Sequence, residues 1–434
     1  MRNTNFFLAF VFAAAGSAFG QTGGIADPST SAIAERVFTE QAARLKTDDR
    51  IAMYGVMIQT KPENLHYQNL LAGSYIQKMR ETTDFSYLDR AAQIVGNVIS
   101  ADSQNYEALR LRSEVELERH HFKQVAEYSR QLMNISPNDP WNWGTLGDSL
   151  MELGQYEKAA DAYQRMVSLR PDLSSYNRAS YYRFVAGDAP GAIEVMKRAI
   201  DAGSRSAENV AWCFVDLGNL YFKTGRVGDA EQAYRSALRA FEGYYPAHAG
   251  LGRAFAAEGK TADAIASYQR AQAAVPLVEY AASLQDLYTL AGKPEEARKQ
   301  GEMVDMIDKM EQASGLNVNR NLAMAYADHD RNLERALELV QKELGGRRDI
   351  YTYDALAWTL YKNKKYAEAD KAKEKALELG TPEPAFFYHA ALIERALGRR
   401  DQARQHLERA LALNAHFDPR QSPLAEAAWK EVRQ

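Results

Sequence analysis

Residues 140–171 read PWNWGTLGDSLMELGQYEKAADAYQRMVSLRP, and their spacing decides the fold. Trp143, Leu146, Gly147 and Leu150 recur at intervals of three, one and three, so they share one face of a helix. Gly147 has no side chain and lets a second helix approach closely at that level. Gly154 ends the first helix, because glycine accepts the left-handed conformation that helix ends often need. Tyr156, Ala159, Ala160, Tyr163 and Met166 then form the apolar face of a second helix. Pro171 blocks its continuation, lacking an N–H and clashing with the preceding turn. Two helices this short bury too little surface to stand alone. They need neighbours on both sides.

This pattern resembles the tetratricopeptide repeat, a helix–turn–helix unit of about 34 residues with a Trp-x2-Leu-Gly-x2-Tyr opening. The match departs at Leu150, where the motif prefers Tyr and this chain keeps an apolar residue. The resemblance implies an all-α fold, a right-handed α-solenoid of stacked helix–turn–helix units. Further copies open near His66, Tyr106, Leu173, Ala211, Tyr245, Val278, Leu316, Ile350 and Pro384. Two are strongly marked. One carries Leu217, Gly218, Tyr221, Gly225, Ala230, Tyr234 and Ala237, and the next repeats the pattern from Leu251-Gly252 to Pro276. At Tyr106 and Leu316 the small residue is Ser113 or Ala323 instead of glycine. About ten units are expected over residues 35–417. In the second copy the run RETTDFSYLDR predicts an enlarged turn. Residues 418–434 are read as a capping helix, with Leu424, Ala427, Ala428 and Val432 on its apolar face.

Length alone would suggest about two to four domains, but a sustained repeat forms one continuous core at any length. The chain has 434 residues, and 53 basic against 57 acidic side chains give a net charge of −4 without any block of one sign. Nucleic acid is thereby disfavoured as a partner, since phosphate binding needs a basic stripe.

Residues 1–20 are expected to form a signal peptide: Arg2 supplies positive charge and Phe6 to Ala15 an apolar core of the usual length. Ala18 and Gly20 supply small residues for cleavage before Gln21, which would leave a mature charge of −5. The competing reading is a membrane anchor, although a spanning helix needs about 20 apolar residues. Residues 21–34 are expected to be a flexible lead, with a helix starting near Ala34. The mature protein is therefore expected to be periplasmic or secreted, with no stable membrane insertion. The single cysteine, Cys213, excludes an intrachain disulfide and is expected to be a buried small hydrophobe.

No metalloprotease helix, phosphate loop, nucleophile elbow or Cys-x2-Cys pair occurs. No cofactor and no enzymatic activity are expected. The neighbouring His120 and His121 point in different directions on a helix, and His389, His406 and His416 are read as surface or packing residues. Met303, Met306 and Met310 form a stripe that is expected to fill core.

In the resembled family, the face of each first helix opposite its packing positions lines a concave groove. That register places Trp141, Tyr181, Phe184, Trp212, Asn219, Phe222, Tyr351, Trp358, Tyr361 and Tyr388 on the inner wall. Aromatics there suit an extended or helical peptide, and Asn219 could pair with its backbone. Packing against neighbouring helices is the alternative for each. A carboxylate clamp of Lys and Asn, known in part of the family, is not matched, because Val215 stands where the clamp would begin. The expected function is a scaffold holding a protein or peptide segment. A self-assembling structural solenoid and an enzyme accessory subunit are the alternatives.

Overall fold

The computed structural model describes residue 42 and residues 45–204, 206–313 and 319–433. The chain divides into residues 1–46 and a large compact unit from Thr47 to Gln434, which holds the 22 helices found among the described residues. The signal peptide, the lead and the helix expected near Ala34 lie outside the described residues, as does the unit start near Leu316. No strand occurs among the described residues.

Ten helix pairs run between α1 (Thr47–Thr60) and α22 (Gln421–Arg433). The first helices are α2 (Leu65–Thr82), α4 (Tyr106–Glu118), α6 (Pro140–Glu152), α8 (Leu173–Val185) and α10 (Ala207–Lys223). They continue with α12 (Tyr245–Ala257), α14 (Val278–Leu290), α16 (Arg320–Asp328), α18 (Ile350–Lys362) and α20 (Pro384–Ala396). Each is followed by a second helix, from α3 (Phe85–Ala101) and α5 (Phe122–Ile135) through α7 (Tyr156–Leu169) to α15 (Pro294–Ala313) and α21 (Arg400–Leu413). Every helix packs on its predecessor and its successor, which is the arrangement of an α-solenoid.

Local chemistry sets these boundaries. Pro140 occupies the first turn of α6, where its missing N–H costs nothing, and Asp139 Oδ1 accepts the Trp141 N–H at 2.9 Å. Gly154 follows α6 with φ +69°. A Cβ built on Gly147 would stand 2.3 Å from Tyr163 Cε1, so the glycine is required for the two helices to close. The same device recurs as Gly218 with Tyr234 and Gly252 with Tyr268, at 2.4 and 2.5 Å. Ala159, Ala192, Ala230 and Ala264 are fully buried at the equivalent place in four second helices.

The solenoid also closes on itself. The carbonyls at the C-terminal ends of α6, α8 and α10 accept hydrogen bonds from the loops leaving later units. Arg348 N donates to Glu152 O (2.7 Å), Thr381 Oγ1 to Val185 O (2.5 Å) and Asn414 Nδ2 to Phe222 O (2.7 Å). Gly154 and Gly225 allow this approach, since a Cβ there would lie 2.6 and 2.7 Å from the carbonyls of Arg348 and Leu413. Tyr156 OH accepts from Ile350 N at 2.8 Å, and Arg347 Nε pairs with Glu152 at 2.5 Å. These contacts form a seam between turns of the superhelix. Side chains of early and late units also pair beside it, as Lys223 does with Glu383.

Other expectations are revised. RETTDFSYLDR is no enlarged turn, because α2 continues to Thr82 and α3 begins at Phe85. Met306 and Met310, on α15, are 61% and 64% exposed, and only Met303 packs in the core. On α22 the buried apolar side chains are Ala425, Ala428 and Val432, whereas Leu424 and Ala427 are exposed. Cys213 is fully buried, as expected, and burial pushes its thiol up to about 12.

Candidate binding lumen

A cavity of about 340 Å³ opens on the inner wall beside the seam. It is built almost wholly from first helices: Phe222 and Lys223 of α10, Arg253 of α12, Met324 and Asp328 of α16, Tyr351 and Asp354 of α18, and Phe386 and His389 of α20. Phe417 and Asp418 close one side in the loop before α22.

Several of its polar groups are paired. Lys223 Nζ meets Glu383 at 2.6 Å, and also lies 3.4 Å from Tyr351 OH and 5.3 Å from the centre of that ring. Arg320, 5.7 Å from the centre of the Tyr351 ring, pairs with Asp349 at 2.9 Å. Phe386 meets the Tyr351 ring edge-on at 5.1 Å. Enclosure of this kind raises the Tyr351 phenol well above its ordinary value, chiefly by burial. His389 Nδ1 stands 3.0 Å from both carboxylate oxygens of Asp354. Burial pulls the imidazolium down, but the field and hydrogen bond of Asp354, with Asp328 behind, outweigh it and hold the ring above its usual range.

The aromatics expected on the inner wall separate into two groups. Trp212 and Tyr181 are 48% and 38% exposed and present open ring surface. Trp212 lies beside Asp216, whose carboxyl burial raises to about 6, against hydrogen bonds from Asn177 and the indole. Tyr181 lies in the field of Glu152 of the preceding first helix and, from across the seam, of Tyr351, Asp349 and Arg320. Trp141 is half-buried under the Arg110 guanidinium, 4.6 Å from its ring. Tyr351 is half-buried on the cavity wall, and Asn219 Oδ1 is occupied by Tyr234 OH at 2.9 Å.

The remainder are core. Trp358 and Tyr388 are each 2% exposed, and Phe222 and Phe184 are buried as deeply. Trp358 stacks on His389 (4.2 Å) and on Tyr361 (5.2 Å), while its Nε1 donates to Asp328 at 2.8 Å. Tyr361 is half-buried in the same stack. The row looks surplus within one unit. It is consumed by the neighbouring first helices α16 and α20, which a single-unit register does not show.

Arg253, Asp328 and His389 were missed as cavity residues. A signal exists for Arg253, which follows Gly252 where Asp148 follows Gly147 and Asn219 follows Gly218. Among the described residues no cluster of His, Cys, Asp or Glu could hold a metal ion, and no helix is long and apolar enough to cross a membrane.

Tetratricopeptide-repeat family models match residues 145–207, 215–278 and 384–417, so the chain carries tetratricopeptide repeats. Protein bimA of Emericella nidulans is 23% identical over 200 residues, 45% of this chain and 23% of its own length. Tetratricopeptide repeat protein 36 of Mus musculus is 32% identical over 89 residues, 20% of this chain and 48% of its own. The chain thus spans less than half the length of either relative. Among solved structures, that of PilW, a type IV pilus biogenesis factor, is 14% identical with a TM-score of 0.42, over 47% of this chain and 93% of that one. The repeat scaffold is of a kind suited to protein–protein interaction.

Proposed function

We propose that this protein is an exported, non-catalytic scaffold that holds a segment of a partner protein against its inner wall. One observation carries the reading. Trp212 and Tyr181 keep large ring surfaces accessible on first helices whose other aromatics are mostly packed away. Rigid aromatics supply interface energy at low entropic cost, and a wall that leaves them uncovered is complementary to an inserted chain. Export rests on residues 1–20, read as a cleaved signal peptide ahead of Gln21. The test is partner capture with Trp212→Ala and Tyr181→Ala variants, each checked by a thermal melt. Binding should weaken by about 1–2 kcal/mol at unchanged melting temperature. Unchanged affinity in both variants would refute the inner wall as the binding surface.

A further inference from the structure

His329 caps α16 with both ring nitrogens against acceptors. Nδ1 stands 2.8 Å from the carbonyl of Ala325, one turn back, and Nε2 stands 3.0 Å from a carboxylate oxygen of Asp286 on α14. A neutral imidazole carries one N–H and can answer only one of them, whereas the imidazolium answers both. The side chain is 6% exposed, so water offers little substitute. Burial pulls the imidazolium down. The hydrogen bond and field of Asp286, with the Ala325 carbonyl, outweigh it and hold the ring above its ordinary value, Arg420 opposing.

The surrounding charges favour the same state. Asp286 acts on both Asp328 of α16 and Asp418 of the loop before α22, and those two act on each other. Arg420 supplies one positive charge 3.6 Å from Asp286. Three carboxylates against that guanidinium leave two negative charges in excess, and a protonated His329 cancels one. His389 also acts on Asp328; it is itself paired with Asp354, and Lys362 opposes its charge. Burial raises the Asp418 carboxyl to about 6, against the Gln421 and Arg420 N–H groups, and Asp286 and Asp328 add to the rise.

The same groups fasten the C-terminal cap. Asp418 accepts the backbone N–H groups of Arg420 and Gln421 at 2.8 and 2.7 Å and so starts α22. The Gln421 amide reaches Asp328 at 2.8 Å, and Arg420 reaches Asp286. Phe417 and Asp418, in the loop ahead of α22, close one side of the cavity.

We propose that His329 is the proton switch of a clasp: charged, it ties α14, α16 and the head of α22 together, and neutral, it lets α22 and its leading loop loosen from the cavity. The clasp stands apart from the reading of the inner wall, since it governs which units stay closed and not what they hold. A histidine whose folded pKa is raised contributes stability that is full below its unfolded value of about 6.5 and is lost as pH rises through the folded one. The clasp is therefore tight in mild acid and loosens in mild alkali.

The test is hydrogen exchange on the full chain at about pH 6 and about pH 9, corrected for the intrinsic rate at each pH. At the higher pH α22 should open about tenfold more often, the effect of a shift of one pH unit. His329→Gln keeps a donor for Asp286 but takes up no proton. It should remove most of the pH slope of α22 while the slope of α4, where Glu118 lies, stays that of the parent. Asp418→Asn retains a capping acceptor and removes a negative charge, so α22 should open less often than in the parent at about pH 9. Followed by NMR, the His329 imidazole should titrate above about 6.5. Equal opening of α22 at both pH values, a slope that survives His329→Gln, a looser α22 in Asp418→Asn, or an imidazole titrating at or below about 6.5 would overturn the proposal.

Discussion

Asn414 Nδ2 donates to the backbone carbonyl of Phe222 at 2.7 Å, across 192 residues of sequence, with both groups buried. Arg348 and Thr381 make the matching bond to Glu152 and Val185, so the donors fall one unit apart (348, 381, 414). Stacked units alone give a chain whose ends are independent. This seam couples early units to late ones.

Asn414→Ala removes the donor and leaves a buried carbonyl without a partner, a loss of about 1–3 kcal/mol. Hydrogen exchange should rise in the last turn of α10 as well as around α21. A rise confined to α21 would show that the seam contributes no stability.

Gly147→Leu forces a side chain into Tyr163, whose ring is 3% exposed and whose hydroxyl is held by Asp148. Overpacking should cost about 1–3 kcal/mol. Tyr163 and Tyr156 share α7, and Tyr156 holds Ile350 N, so exchange should rise near Ile350 as well as in adjacent units. Protection at Ile350 identical to that of the parent chain would contradict this coupling.

Trp358→Ala should act on stability. Trp358 is 2% exposed and stacks with Tyr361 and His389, and its removal should cost about 3–5 kcal/mol. A melt that is unchanged while partner affinity per folded molecule falls would return Trp358 to the binding surface.

Glu118 makes stability depend on pH. Burial raises its carboxyl to about 7; Arg80 opposes the shift, and Glu114, Glu208 and Asp148 add to it. A carboxyl whose folded pKa is raised contributes stability that is full below its unfolded value and is lost as pH rises through about 7. Glu118→Gln should therefore flatten the melting temperature between about pH 5 and 8 and raise it at the alkaline end. A variant with the parent's pH slope would assign that slope to other groups.

Much of the solenoid was legible because its information is local. Helices begin at Tyr106, Pro140, Leu173, Tyr245, Val278, Ile350 and Pro384, where Pro, capping residues and the apolar period place them. Gly147, Gly218 and Gly252 each meet the tyrosine 16 residues on, within one unit. The seam was not legible, since three of its acceptors are backbone carbonyls that leave no mark in sequence. Neither was the division of the inner-wall aromatics. Trp212 lies six residues before Gly218 and Trp358 directly after Ala357, a separation of seven that puts both on one face of the first helix, yet only Trp358 is covered by the adjacent first helices.

The central claim is that the partner segment lies on the inner wall. The most direct measurement places a photoreactive benzophenone amino acid at position 212, exposed on the first helix α10, or at position 306, exposed on the second helix α15. Both variants are illuminated in the producing cell. The account predicts a discrete crosslinked partner from position 212, competed by unlabelled protein, and none from position 306. Equal crosslinking from both positions, or crosslinking from 306 alone, would contradict it.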